Sequence, residues 1–263
     1  MTKIRSSFQI IVNSPWAFLI SIIFIDNFIS IISIIYNIIS AEKIMKWSMI
    51  TLIITFIYWI IDLYNEGLYK GENTKKECEN LIIGFIIFVI SEITIFIILF
   101  SSYFYNSFIP SIDLGCEWPP IGINIINTYA LPLFNTALLY FSGIAMSICQ
   151  NRIINKKNYS YFIIMAILFA LLFTTVQVIE YKNSYFSIYD SSFASSFFVL
   201  TGFHGIHVII GVSIIILIAI RTILLDFPAD QISIVGFNIG IIYWAFVDYA
   251  WLFILIIVYI WGS

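Results

Sequence analysis

The chain has 263 residues, of which 61% are hydrophobic and only 10% are charged, with a formal net charge of −3. Its mean hydropathy is +1.01. An ordinary soluble domain carries about 25% charged residues, so this composition excludes a soluble protein and predicts a membrane protein. No nucleic-acid partner is predicted.

Apolar runs of about 20 or more residues follow one another along the chain. Each is long enough to cross a hydrocarbon core of about 30 Å as a helix, and we therefore predict an all-α, polytopic membrane protein with seven transmembrane helices. The predicted spans are 16–39, 44–64, 80–105, 126–149, 159–181, 193–221 and 233–260. Outside them, only the N-terminus, the 65–79 loop and the 106–125 loop exceed about a dozen residues, so no soluble catalytic domain is expected.

The basic residues predict an orientation. With seven spans, the N-terminus and every second loop lie on one side, and nine of the 12 lysines and arginines fall there. Because loops on the inner side carry the excess of positive charge, we expect the N-terminus inside and the C-terminus outside. The nine are Lys3, Arg5, Lys70, Lys75, Lys76, Arg152, Lys156, Lys157 and Arg221; the other three are Lys43, Lys46 and Lys182.

The three cysteines, Cys78, Cys116 and Cys149, lie far apart in the sequence. No CxxC or CxxxC spacing is present, so neither a metal site nor a disulfide framework is predicted from them.

Ionisable side chains within the predicted spans are costly unless they are paired, buried in protein or hydrated. The acidic residues and histidines in these spans are Asp26, Asp62, Glu92, Glu180, His204, His207 and Asp248. Asp62 and Glu180 lie near the ends of their spans, where a polar tip can reach the interface. Glu92 lies roughly 18 Å into span three, near mid-membrane. It is either a neutral carboxyl bonded between helices or a partner for a proton or a lipid headgroup.

The only two histidines of the chain stand three residues apart in "TGFHGIHVIIG". At positions i and i+3, His204 and His207 share one helical face. Two imidazoles are too few for a redox centre built by this chain alone, because a haem would consume both and a copper site needs further ligands. We therefore predict that they pack between helices, with Glu180 and Asp248 as partners.

Three glycines surround the histidines. Gly202, Gly205 and Gly211 are expected to permit close approach of neighbouring backbones. At the inner end of the same span, Arg221 is either a ligand for an anionic lipid phosphate or an anchor that snorkels to the interface.

Several sequence motifs of the chain resemble those of cytochrome c oxidase subunit III. The strongest are "FFVLTGFHGIHVIIG" followed by Arg221 and the C-terminal "YWAFVDYAWLFILIIVYIWGS". Further segments look like that family in order and spacing over essentially the whole chain: "VNSPWAF", "YWIIDLYNEG" leading to "GENT", "ISEITIF", "IDLGCEWPPIGI", "LPLFNTALLYFSG" and "QVIEY".

The resemblance implies a V-shaped bundle of two arms. One arm is residues 1–79, with helices 1–2 and the following loop, and the other is residues 80–263, with helices 3–7. It implies a proton-translocating oxidase subunit that has no catalytic residue, metal or cofactor of its own. Haem a, haem a3 and copper would belong to partner subunits. The implied partners are subunits I and II, accessory subunits, and phospholipids such as phosphatidylglycerol, phosphatidylethanolamine and cardiolipin.

The resemblance also assigns residues and a location. The expected lipid-binding or buried polar residues are Trp59, Asp62, Glu66, Glu92, His207 and Arg221. A structural polar cluster of Glu180, His204 and Asp248 is expected among spans five to seven. The implied location is the mitochondrial inner membrane, with the N-terminus in the matrix and the C-terminus in the intermembrane space, or alternatively a bacterial plasma membrane.

Three positions depart from the family pattern. Ala245 stands where the family usually has His, and Asn73 stands where it tends to carry His. Asp26 has no counterpart that the resemblance explains, and we expect it to contact an accessory subunit or an adjacent span.

For function, the resemblance implies a lipid-filled cleft that supports the catalytic subunit, gives O₂ an apolar route and assists proton uptake. Carboxylates of the second loop would supply an acidic surface that retains protons, or would simply be solvated. They are Glu66, Glu72, Glu77 and Glu79.

Other classes remain open from the residues alone. A membrane transporter or proton channel would also carry buried carboxylates but predicts broken helices, and Pro132 is the only proline well inside a predicted span. A quinol-oxidase subunit and a scaffold without an oxidase partner are the further alternatives.

Overall fold

The computed structural model describes residues 14–38, 40–68, 75–110, 112, 115–224 and 231–262. Side chains are not described for 63–68, 75, 77, 223–224 and 231–234. All regular structure in the described residues is helical, which confirms the all-α prediction. The chain divides into two compact units, Met1–Glu79 and Asn80–Ser263.

Within these residues, seven helices are long and apolar enough to cross a membrane, as the sequence predicted. In hydrocarbon, only a helix satisfies every backbone N–H and C=O within one isolated segment, which is why apolar runs of this length fold this way. The helices are α1 (Trp16–Ile35), α2 (Ala41–Leu68), α3 (Lys75–Phe108), α4 (Leu131–Ile154), α5 (Ser160–Asn183), α6 (Ser192–Leu224) and α7 (Gln231–Ile254). A π-helical segment, Leu255–Ile260, continues α7.

The first helix ends earlier than predicted. The Tyr36 N–H donates to Ile32 O at 3.1 Å, and the next residue, Asn37, has a φ of +56°. A right-handed helix cannot continue through that conformation, and Asn tolerates it better than most residues do. Span one therefore stops at Ile35 rather than at 39.

The predicted 65–79 loop is largely helical. The second helix continues to Leu68 and the third begins at Lys75, while 69–74 lie outside the described residues. Lys, Glu and Leu are good helix formers, so the helices extend beyond their apolar segments. Hydropathy marks where a span leaves the hydrocarbon and not where the helix ends.

The fourth helix begins at Leu131 rather than at 126. The Asn127 side-chain oxygen accepts from the Tyr129 N–H at 3.1 Å, a turn that Asn side chains favour. Pro132 lies in the first turn of α4, where its missing N–H costs no helical hydrogen bond. The expectation of a proline well inside a span was wrong, and α4 is unbroken up to Ile154.

Polar contacts join α1 to α2 in the first unit. The Ser48 hydroxyl donates to Asn27 Oδ1 at 2.9 Å, and both side chains are buried. Near the other end of α2, the Trp16 indole N–H donates to Asp62 Oδ2 at 2.8 Å, and the Trp16 ring stacks on Tyr58 at 6.3 Å between centroids.

The core of the second unit lies among α4, α5, α6 and α7, with Val89, Phe96 and Tyr103 contributed by α3. Hydrogen bonds from buried indoles fix α7 against α4, because Trp244 Nε1 donates to Ser142 Oγ at 2.8 Å and Trp251 Nε1 donates to Thr136 Oγ1 at 3.0 Å. Such interhelical bonds matter in a bilayer, where no water competes for the groups.

The third helix packs on α6 and α7 through aromatic side chains. These rings are large, so they keep the α3 backbone away from its neighbours while the side chains still touch. The ring pairs, with centroids 5.3 to 6.5 Å apart, are Phe96–Phe203, Phe96–Phe246, Phe85–Tyr243 and Phe100–Phe253.

The glycines of α6 differ from one another. At Gly211 a β-carbon would stand 2.8 Å from Trp244 Cε3, so this position admits glycine alone without movement of a buried ring. At Gly202 and Gly205 a β-carbon would meet nothing within 4 Å. The expectation that all three permit close backbone approach was therefore wrong, since one accommodates an indole and two face open space.

Candidate functional site

Glu92 and His207 meet between α3 and α6. His207 Nε2 lies 3.0 Å from Glu92 Oε2, and the Nδ1 atom lies 2.9 Å from Phe203 O. A backbone carbonyl only accepts, so Nδ1 carries a proton. Nε2 then either accepts from a neutral carboxyl or donates to a carboxylate. In both forms the pair holds one shared proton and has no net charge.

This pair is deeply placed. The side chains of His207 and Glu92 are 7% and 16% exposed, and each residue lies about halfway along its span. In a medium of low dielectric an unpaired charge there would be costly. The pairing lowers that cost for both groups and ties α3 to α6.

Aromatic rings enclose the imidazole. The centroid of Phe203 lies 4.7 Å from that of His207, Phe96 lies at 5.4 Å and Phe246 at 5.7 Å. Tyr243 stacks on it at 6.4 Å with 18° between the planes. Water has little room beside the ring, which is consistent with a structural hydrogen bond rather than an open metal site.

An apolar groove runs between α3 and α7. Its volume is about 740 Å³. Phe96 and Phe246 contact the His207 ring on one side and line the groove on the other. Ala245 also lines the groove, where it presents a methyl group. A groove of this chemistry accommodates hydrocarbon or an apolar gas.

The three members of the predicted polar cluster lie in different surroundings. Tyr259 donates its hydroxyl to Glu180 Oε1 at 2.5 Å, and both side chains are buried. His204 is 1% exposed and sits between Phe173 and Trp251, at 6.0 and 5.3 Å between centroids. Among the described residues no hydrogen bond joins the cluster members, and neither nitrogen of His204 has a partner.

Asp248 lies on the side of α7 that faces α4. A β-carbon at Gly143 would stand 2.6 Å from its Oδ2, so the glycine makes room for the carboxyl. Asp248 thus borders α4 and not the His204 ring, and the structure pairs neither histidine with Glu180 or Asp248.

Other predicted residues occupy the first unit. Asp62 accepts from Trp16, and Trp59 is half-buried with its ring edge against Phe56 at 6.4 Å. The side chain of Glu66 lies outside the described residues. Asp26 is exposed on α1.

Arg221 stands near the end of α6, where its side chain is half-buried. A β-carbon at Gly236 would lie 3.4 Å from its Nη1, so the guanidinium lies close to the first turns of α7. Of the acidic second-loop residues, Glu79 is exposed, while Glu72 and the side chain of Glu77 are outside the described residues.

Sequence reasoning missed the partners that complete these sites. It did not predict that Glu92 bonds to His207, that Tyr259 bonds to Glu180, or that Trp16 bonds to Asp62. One signal was present: Glu92 and His207 stand at similar depth near the middle of their spans. For the others, a Tyr or Trp at matching depth is too common in this chain to single out.

No group of three or more His, Cys, Asp or Glu side chains in the described residues could hold a metal ion.

A family model described as cytochrome c oxidase subunit III matches residues 6–263. Proteins named "Cytochrome c oxidase subunit 3" are similar over most of their length. The one from Podospora anserina is 36% identical over 99% of this chain and 98% of its own.

The relative from Mycosarcoma maydis is 40% identical over 81% of this chain and 78% of its own. The relative from Lycodon semicarinatus is 38% identical over 83% of this chain and 84% of its own. These matches support the motif resemblance and give no support to the transporter alternative. The chain belongs to the cytochrome c oxidase subunit III family.

Proposed function

We propose that this chain is the cofactor-free third subunit of a cytochrome c oxidase, placed beside the catalytic subunit. Subunits I and II would carry haem a, haem a3 and copper and transfer electrons from cytochrome c to O₂. The observation that carries the proposal is the buried Glu92–His207 pair beside an apolar groove, within a chain of this family.

The pair supports a role in holding lipid. By fixing α3 to α6, it keeps Phe96 in place as a wall of the groove, so that acyl chains meet a preformed surface. Arg221 would bind a lipid phosphate, since guanidinium groups make strong, charge-assisted hydrogen bonds to phosphate. Phosphatidylglycerol, phosphatidylethanolamine and cardiolipin are the proposed lipids.

Oxygen access and proton uptake make different demands. O₂ is apolar and enters a hydrocarbon-filled groove without a specific ligand. Protons need acceptors at the inner surface, and the acidic residues of the second loop are the proposed contributors. Glutamine in place of Glu79 and its neighbours should then slow proton uptake, and an unchanged uptake rate would remove this part of the proposal.

The proposed location is the mitochondrial inner membrane, with the N-terminus in the matrix. Cys116 gives a direct test, because it is exposed in the loop between α3 and α4, whereas Cys78 and Cys149 are buried. A membrane-impermeant maleimide should label Cys116 from the intermembrane-space side. Labelling from the matrix side alone would reverse the orientation.

The main test is purification of the chain at native expression in mild detergent. Co-purification of a-type haem and cytochrome c oxidation activity are expected. An intact, haem-free and inactive preparation would instead favour a transporter or scaffold.

A variant then tests the lipid role. Replacement of His207 by Leu should leave the haem spectrum unchanged and lower the amount of phospholipid retained per complex. Ser213→Leu, an exposed position elsewhere on α6, is the control. Loss of haem with His207→Leu would contradict the assignment of that residue to helix and lipid positioning.

A further inference from the structure

Three buried polar side chains in the core of the second unit have too few hydrogen-bond partners. Asn135 of α4, Gln177 of α5 and His204 of α6 are 0%, 7% and 1% exposed. Among the described residues, Asn135 Oδ1, Gln177 Nε2 and both ring nitrogens of His204 are buried without a partner. Because an unsatisfied polar atom is costly in a core of low dielectric, each of these atoms needs an explanation.

Two hydrogen bonds place the three side chains at one level of the bundle. Asn135 Nδ2 donates to Gln177 Oε1 at 3.3 Å, which joins α4 to α5. The Tyr181 hydroxyl donates to Thr201 Oγ1 at 2.8 Å, which sets α5 against α6. Since these consecutive spans run in opposite directions, the residues one helical turn inward from this bond, Gln177 and His204, lie opposite each other.

Aromatic rings cover the His204 imidazole but give it no hydrogen bond. The Phe173 ring lies edge-on at 6.0 Å between centroids, and the Trp251 ring lies at 5.3 Å. The Trp251 indole N–H is already donated to Thr136 Oγ1 of α4 at 3.0 Å. Trp251 therefore connects the level of His204 to that of Asn135, the residue before Thr136.

The unpaired atoms are a mixed set of donors and acceptors. Asn135 Oδ1 accepts, Gln177 Nε2 donates, and a neutral imidazole has one donor and one acceptor nitrogen. A cation would face the N–H of Gln177, an anion would face the oxygen of Asn135, and either would be a charge in the membrane core. Water matches the set, because it both donates and accepts, and a buried water typically makes about three hydrogen bonds.

We propose that the junction of α4, α5 and α6 holds an internal water molecule. The water accepts a hydrogen bond from Gln177 Nε2 and donates to a nitrogen of His204 and to Asn135 Oδ1. It links three helices at a point where their side chains do not bond directly to His204. The site is separate from the Glu92–His207 pair and from the apolar groove, and the inference does not depend on the proposed function.

Imaging of the purified native assembly by electron cryomicroscopy, at a resolution that shows ordered water, is the direct test. A density peak is expected within about 3.2 Å of Gln177 Nε2, of a His204 nitrogen and of Asn135 Oδ1. A direct hydrogen bond from His204 to either amide overturns the inference. So does the absence of a peak in a map that resolves other internal waters.

Variants give a second measurement, the melting temperature of the same assembly. His204→Phe keeps a ring between Phe173 and Trp251 but cannot bond to water, and Gln177→Leu removes the donor. With water bound, each single variant leaves buried groups without a partner and lowers the melting temperature. The double variant should be no less stable than Gln177→Leu alone, because both sides of the bridge are then gone.

Thr175→Val is the matched control on α5, and its melting temperature should be that of the wild type. Thr175 is exposed, and its hydroxyl donates to Leu172 O of its own helix at 2.8 Å. Without water, His204→Phe would replace an unpartnered buried group by an apolar one, so that an unchanged or higher melting temperature overturns the inference. Losses that add in the double variant also overturn it.

The imaging decides alone if a core variant does not assemble. A wild-type preparation without haem would count against the proposed function and would leave both measurements of the water site possible.

Discussion

His207 Nε2 stands 3.0 Å from Glu92 Oε2, and this contact ties α6 to α3 about halfway along both spans. Aromatic rings make several of the contacts of α3 with α6 and α7, and the polar bond sets how deep the helix sits. Rings permit sliding, whereas a hydrogen bond has a narrow range of length and angle. The apolar groove between α3 and α7 depends on this position of α3 along its axis.

Replacing Glu92 by Leu should destabilise the subunit more than replacing it by Gln. Leu leaves His207 Nε2 buried without a partner, at a cost of about 1–3 kcal/mol, whereas the Gln amide can donate to that nitrogen. Thermal unfolding of the purified complex checks this, with Thr94→Val on the exposed side of α3 as control. Equal melting temperatures for wild type and Glu92→Leu would show that the pair has no stabilising role.

Tyr259→Phe should destabilise the packing of the C-terminal segment Leu255–Ile260 in the second unit. The Tyr259 hydroxyl donates to the buried carboxyl of Glu180, and its removal leaves Glu180 Oε1 without that donor, again at about 1–3 kcal/mol. Tyr249→Phe is the matched control, since Tyr249 is 65% exposed. Chemical denaturation in detergent should separate the two variants, and identical transitions would contradict the prediction.

Gly211→Ala and Gly205→Ala should have opposite effects, although both positions lie on α6. The added methyl at 211 meets the buried Trp244 ring at 2.8 Å, and overpacking of this kind costs about 1–3 kcal/mol. At 205 the methyl meets nothing within 4 Å and raises helix propensity by up to about 1 kcal/mol. Melting temperatures of the two variants measure the difference, and a neutral Gly211→Ala would refute the tight contact.

The loop between α5 and α6 should respond to acid. Ser187 donates its N–H to Asp190 Oδ2 at 2.6 Å and its hydroxyl to Oδ1 at 2.7 Å. These bonds, the backbone one foremost, hold the pKa of Asp190 below its usual value. The ionised carboxylate therefore stabilises the loop fully at pH values above about 3.9, the ordinary pKa of an aspartate. That contribution is lost as the pH falls through the lowered pKa of the folded state.

Hydrogen exchange of the Ser187 amide, corrected for its intrinsic rate, should thus lose protection in acid. Asp190→Asn should reduce protection at neutral pH and remove the acid dependence. Protection that stays constant across this range in the wild-type protein would show that the carboxylate does not hold the loop.

The start of α4 and the contact of Glu92 with His207 show two kinds of feature that could not be predicted from the sequence. Hydropathy predicted a span over 126–149, but Asn127 and Pro132 moved the helix start to Leu131, because turn chemistry acts on single residues that a long apolar window averages out. Glu92 was predicted to lie near mid-membrane, and in the structure its side chain is 16% exposed about halfway along its span. Its partner was not predicted, since a side chain's direction depends on the rotation of its helix about its own axis.

The sequence by itself determined the membrane class, the seven spans and the family, because run length, apolar content and motif order are properties of the chain alone. Only the tertiary structure decided which polar groups meet. Glu180 bonds to Tyr259 rather than to a histidine, and Asp248 faces Gly143 rather than His204. Several ionisable groups lie at similar positions along their spans, so several different pairs among them are possible. The packing of the helix faces determines which of these pairs form.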